Sequence, residues 1–163
     1  MTNNKILFIF EGESTEKKIA NNLSKYFVNK NTIIQCAFCS DIYQFYDKLQ
    51  KDEDLDAFSV LKKIKQNSSI LSSYSRSDFA EIYMFFDYDG HANCANDKKL
   101  SDLLYFFDNE TESGKLFISY PMVEAIRHVS KKIDFKNLKV KAKENIRYKN
   151  LVHREGYYHL RNI

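Results

Sequence analysis

Ile82-Tyr83-Met84-Phe85-Phe86-Asp87-Tyr88-Asp89-Gly90 is an apolar run that stops on two carboxylates and a glycine. Such a short run, rich in aromatic and branched residues, reads as a strand buried on both faces. An earlier stretch has the same form: Ile6-Leu7-Phe8-Ile9-Phe10 leads into Glu11-Gly12-Glu13-Ser14-Thr15-Glu16. The segments around these two strands alternate in period. Ile19, Ala20, Leu23 and Tyr26-Phe27 recur at helical spacing, and Thr32 to Phe38 is a β-branched strand pattern. Ile42, Phe45, Tyr46 and Leu49 mark one helix. Leu55, Phe58, Leu61 and Ile64 mark another, after the acidic turn Asp52-Glu53-Asp54. Asn67 to Ser77 is Ser-rich and reads as a loop, or as a frayed helix through Ile70, Leu71 and Tyr74. Leu100, Leu103, Leu104 and Phe107 give a further helical stripe, ended by the polar run Asp108 to Gly114. Leu116-Phe117-Ile118 is the next strand, and Pro121 opens a helix carrying Met122, Ile126 and Val129.

This alternation predicts an α/β fold: a mainly parallel, Rossmann-like sheet of about four strands with right-handed crossovers and helices on both faces. Ligands of such sheets sit at the carboxyl ends of the strands. Glu11, Asp87 and Asp89 are therefore expected at one edge.

A chain of 163 residues suits one domain with a substantial core. Thirteen Phe and eleven Tyr without Trp predict a core thick with aromatics, and four Gly and one Pro argue against disorder. We place the main domain at residues 1–132 and a basic C-terminal segment at 133–163. In that segment Leu138 to Lys143 is a candidate edge strand and Tyr157-Tyr158 a candidate packing point. The chain stops without a closing element, as a piece of a longer protein would. Net charge is uneven: residues 1–126 hold 14 basic and 19 acidic side chains, a net of −5, whereas residues 127–163 hold 11 and 3, a net of +8. Metal-binding acids beside a basic track would suit an enzyme acting on a phosphate polymer; a solvated basic tail is the plain alternative. The first apolar run ends at Glu11, too early for a secretory signal, and nothing reaches transmembrane length. Three cysteines, an odd number, fit reduced thiols in a cytoplasm.

Three carboxylates at one edge repel one another unless a cation or shared protons neutralise them. Hard oxygen donors of this kind suit Mg²⁺ or Mn²⁺. In an extended segment, alternate residues point the same way, so Asp87 and Asp89 can address one ion. Gly12 and Gly90 give the chain room to turn after each strand. The plain alternative for each acid alone is helix capping or loop solvation.

With these residues in view, the chain resembles the TOPRIM domain, and Glu11-Gly12-Glu13-Ser14-Thr15-Glu16 is most similar to the RloB-like and OLD-type nuclease branch. The likeness spans roughly residues 5–131 and implies a Mg²⁺- or Mn²⁺-dependent nuclease or related phosphodiester-processing enzyme, of the kind associated with bacterial anti-phage loci. By position it implies Glu11 as metal ligand or general base and Asp87 and Asp89 as metal ligands. It makes Glu124 a fourth candidate catalytic acid, with a dipole-matched Glu in a helix's first turn as the alternative, and Glu16 a further candidate ligand of the same sort. DNA or RNA is the implied partner, and homo-oligomerisation is left open. There is no phosphate-cradling Gly-rich Lys-Ser/Thr loop, so an ATPase would be a separate partner chain.

Other readings compete. Cys36-Ala37-Phe38-Cys39 and His91-Ala92-Asn93-Cys94 have zinc-site spacings, but residues three apart in a strand face opposite ways, and buried structural cysteine is the default. His91 itself reads as a ligand or as a surface histidine. A receiver-like phosphoacceptor would also gather acids at strand ends and would use Ser119. A non-catalytic module would hold Mg²⁺ for structure and bind nucleic acid or a protein partner. The clusters Tyr43-Phe45-Tyr46 and Tyr105-Phe106-Phe107 are expected in the core rather than as base-stacking surfaces.

Overall fold

The computed structural model describes residues 4–12, 15–29, 31–39, 41–51, 56–88, 96–119, 137, 139 and 145–155. The chain divides into two units, Met1–Ile118 and Ser119–Ile163.

The first unit runs β1 (Asn4–Phe10), α1 (Thr15–Phe27), β2 (Thr32–Phe38), α2 (Ile42–Lys51), α3 (Ala57–Lys62) and α4 (Ser68–Leu71), then β3 (Glu81–Asp87), α5 (Asp97–Phe106), β4 (Asp108–Asn109) and β5 (Gly114–Ser119). Short 3₁₀ turns at Lys65–Asn67 and Arg76–Asp78 flank α4. The Ser-rich stretch is thus more helical than a plain loop. The strands form one mostly parallel five-stranded sheet in the order β2-β1-β3-β5-β4. The extra strand beyond the expected set is β4, two residues long and antiparallel to β5, inside the polar run read as a break. Its turn depends on Gly114, at φ 117°, where a side chain would be strained and its Cβ would lie 3.2 Å from Ile82 Cγ2.

Period-2 alternation sorts the strands into two layers. Leu7 and Ile9 of β1, Ala37 of β2, Ile82, Met84 and Phe86 of β3 and Leu116 of β5 face a core closed by Phe45 and Leu49 of α2, Phe58 and Leu61 of α3, and Leu103 and Phe107. Phe10, Cys36 and Phe38 point to the other face and pack with Ala20 of α1. Helices therefore lie on both faces, as expected for a Rossmann-like sheet. The second face is less buried than the sequence suggested. In β3, residues 82, 84 and 86 are buried, while Tyr83 and Phe85 are only half-buried. These rings stack across strands: Phe85 lies 5.5 Å from Phe117 at 13°, and Phe8 meets both Tyr83 and Phe85 edge-on.

The aromatic triplet of α5 also splits. Phe107 is fully buried, but Tyr105 is 85% exposed and Phe106 44%, contrary to the core assignment. Successive helical residues are about 100° apart, so three in a row cannot all face one core. Tyr43 and Phe45 of α2 are buried as expected.

Asn67 is fully buried and holds the edge strand β2 at its carboxyl end. Its Oδ1 accepts from Phe38 N–H at 2.8 Å, and its Nδ2 donates to Phe38 O at 2.8 Å and Leu61 O at 3.0 Å. The carboxamide thus satisfies the outward backbone groups that an edge strand would leave bare. Cys39 N–H then donates to Phe10 O at 2.8 Å, extending β2–β1 pairing to the residue before Glu11.

In the second unit α6 (Asn145–Glu155) is described; Tyr148 and Val152, one turn apart, are buried, and Ile146 is exposed. The candidate helix after Pro121, the candidate strand at 138–143 and the Tyr157-Tyr158 pair lie outside the described residues, apart from the isolated position 139. Among the described residues, no helix is long and apolar enough to cross a membrane.

Two stability changes follow. Asn67→Ala would take away the side-chain partner of both buried backbone groups of Phe38 and should lower unfolding free energy by about 3 kcal/mol in urea titration. Asp56→Ala removes the side chain that caps α3 through Ser59 N–H at 2.9 Å, and should cost only about 1 kcal/mol. An unchanged urea midpoint for Asn67→Ala would rule out the clamp.

Candidate functional site

The register of β1 against β3 pairs Phe10 with Phe85, so Glu11 stands one step short of Asp87 at the carboxyl edge of neighbouring central strands. The backbone closes the gap: Asp87 N–H donates to Glu11 Oε2 at 3.2 Å. Two motifs 76 positions apart in sequence therefore meet. Both side chains are partly buried, so each keeps access to solvent while sitting at the rim of the core.

Glu16 approaches the same turn from α1. A Cβ built on Gly12 would lie 2.7 Å from Glu16 Oε2 and 3.0 Å from its Cδ. Glu16 thus folds back from the first helical turn over the residue after Glu11. Gly12 is needed here for the volume of that carboxylate. The obstructing atom ends a flexible side chain, so Gly12→Ala should fold normally, with a stability loss below about 1 kcal/mol, while displacing the Glu16 carboxylate.

Other acids at this edge have local duties. Asp41 caps α2, accepting from Tyr43 N–H at 2.8 Å and Gln44 N–H at 3.1 Å. Asp97 in the first turn of α5 accepts from the Tyr88 hydroxyl at 3.3 Å. Asp89, Glu124 and His91 lie outside the described residues. Among the described residues no group of three or more His, Cys, Asp or Glu is gathered tightly enough to hold a metal ion. What is placed is the Glu11 carboxylate against the Asp87 backbone amide and the Glu16 carboxylate beside Gly12; carboxylates are hard oxygen donors, of the kind that would suit Mg²⁺ or Mn²⁺ rather than a thiophilic metal.

The zinc-like pair is separated by the pleat. Cys36 packs with Phe10, Ala20 and Phe38 on one face of the sheet, and Cys39 packs into the core on the other. They cannot bind one ion together. Cys94 and His91, the other pair, lie outside the described residues.

Sequence reasoning missed that Cys39 neighbours the acidic edge. Burial pushes its thiol from 9.0 up to about 11, and the nearby Glu11 carboxylate adds to the rise, against a backbone hydrogen bond from Asp41 and the charge of Lys48. Burial also raises the Cys36 thiol, offset in part by Lys17. A thiolate is the reactive form, so both should be inert to iodoacetamide at neutral pH in the native protein and label quickly in urea. Peptide mapping after alkylation checks this; fast native labelling of Cys39 would contradict the burial and charge assigned to it.

Comparison with protein-family models, curated proteins and solved structures returned no match.

Proposed function

We propose that this chain is a TOPRIM-like, Mg²⁺- or Mn²⁺-dependent nuclease or related phosphodiester-processing enzyme. The carrying observation is the 3.2 Å hydrogen bond from Asp87 N–H to Glu11 Oε2, which joins the Glu-Gly and Asp-x-Asp motifs at the carboxyl edge of the sheet. That is where an open α/β sheet binds ligands. The sequence resemblance to the RloB-like and OLD-type branch supports the same reading, and with it a role in bacterial anti-phage defence beside a separate ATPase chain.

In this reading Glu11, Asp87 and Asp89 hold the cation, with Glu16 as a further ligand and Glu124 as an additional catalytic acid. The bound ion supplies Lewis acidity at the phosphate and lowers the pKa of water. The protein's own groups do the rest. Glu11 is steadied by the Asp87 amide, and in this reading its carboxylate would bind the ion or take a proton from water. The net charge of +8 over residues 127–163 suits a phosphate-polymer substrate.

The test is cleavage of DNA and RNA by highly purified protein with Mg²⁺ or Mn²⁺ and with EDTA. Wild type should cut, and Asp87→Ala should lose on the order of 100-fold in rate. Equal trace cleavage by both proteins would identify a contaminant and end the proposal. Calorimetry with Mn²⁺ checks the ligand set independently: Glu16→Gln and Gly12→Ala should each weaken binding by roughly ten-fold, and Glu11→Gln by more. Unaltered Mn²⁺ affinity in Gly12→Ala would remove Glu16 from the site.

A further inference from the structure

β2 is an edge strand, and it carries none of the devices that usually keep such an edge from pairing. Thr32-Ile33-Ile34-Gln35-Cys36-Ala37-Phe38 has no charged residue and no proline. Its register against β1 runs unbroken from Asn4↔Thr32 to Phe10↔Phe38, so no bulge bends it away. Ile33 is 41% exposed.

In a parallel strand the N–H and C=O of one residue leave on the same side, and the side alternates along the chain. Asn67 bonds both groups of Phe38, which fixes Phe38 as outward-facing. Cys36, Ile34 and Thr32 are then outward too, whereas Cys39 faces β1 through Phe10 O. Thr32 N–H donates to Asn29 O at 2.9 Å. Among the described residues, no hydrogen bond is made by the remaining outward groups, the Thr32 carbonyl and the N–H and C=O of Ile34 and Cys36.

This open stretch is symmetric about Ile34, with one outward residue two places to either side. Asn67 closes it at one end, and the strand itself begins at the other. An antiparallel copy centred there would exchange both bonds between the two Ile34 residues, and each Cys36 N–H would donate to Thr32 O of the other copy. The incoming strand begins at Thr32, opposite Cys36, so it stops before reaching Asn67. Because the strand is neutral, pairing with itself sets no like charges side by side along it.

We propose that β2 pairs antiparallel with β2 of a second copy of this chain, about a two-fold axis at Ile34, so that two five-stranded sheets become one continuous sheet. The axis stands perpendicular to the sheet, and the two carboxyl edges therefore point in opposite directions. Each copy keeps its own Glu11–Asp87 rim, so the pairing stands or falls independently of the nuclease reading.

Sedimentation equilibrium from about 1 to 200 μM should show wild type in monomer–dimer exchange, with a dissociation constant on the order of 10 μM for so small an interface. The register places Ile33 beside Gln35 of the other copy. Ile33→Lys/Gln35→Lys should therefore weaken the dimer by roughly ten-fold or more. Ile33→Lys/Gln35→Glu should stay within about three-fold of wild type and weaken as salt is raised. The two variants share the change at Ile33, so a difference between them reads pairing and not folding. In a Cys94→Ser background, Ile34→Cys should form a disulfide-linked dimer under mild oxidation, because a residue on the axis meets its own copy. The inference is overturned if wild type stays monomeric over this range, which would leave the edge to an extended segment of another protein or to solvent. It is equally overturned if the two charge variants behave alike, or if Ile34→Cys does not cross-link.

Discussion

The hydrogen bond from the Asp87 amide to the Glu11 carboxylate is the contact on which the candidate site depends. It is available only because β1 and β3 are neighbours, parallel and in a register that brings Phe10 opposite Phe85. A register slip of one residue would turn every side chain of one strand to the other face. Leu7, Ile9, Ile82, Met84 and Phe86 would then leave their core, and hydrophobic burial forbids this far more strongly than a single hydrogen bond could. The packing of the interior therefore fixes the geometry at the rim, and the polar contact reports that geometry more than it creates it.

Support for the rim also comes from outside the acidic motifs. Asn67 ends the edge strand cleanly by taking up both outward backbone groups of Phe38, and Cys39 then pairs with Phe10 next to Glu11. On the other side, Asn96 and the Lys99–Asp47 ion pair hold the start of α5, and Tyr88 is tied to it through Asp97. The ion pair is partly exposed, so its energetic contribution is small; its effect is on position. The proposed catalytic edge thus lies between two capped elements, each fixed by a side-chain amide that satisfies backbone groups.

Much of this fold was legible. The strands at Thr32–Phe38 and around Ile82–Phe86 follow from branched and aromatic runs, and the layering follows from period-2 alternation. The opposite facing of Cys36 and Cys39 follows from the pleat alone. Illegible was β4, a two-residue strand inside a polar run, and the Ser-rich stretch was left between a loop and a frayed helix, because such short elements are stabilised by their neighbours more than by their own residues. The exposure of Tyr105 and Phe106 was also missed, because hydropathy does not say which side of a helix has a partner.

The sequence by itself determined the α/β alternation, the two acidic turns and their placement after apolar strands, because these are local patterns of period and composition. Only the tertiary structure decided that Glu11 reaches the Asp87 backbone, that Glu16 occupies the space above Gly12, and that a buried Asn67 closes the sheet edge. Each of those contacts joins atoms whose distance depends on strand order and register, or on a side-chain rotamer, and no local periodicity encodes such distances.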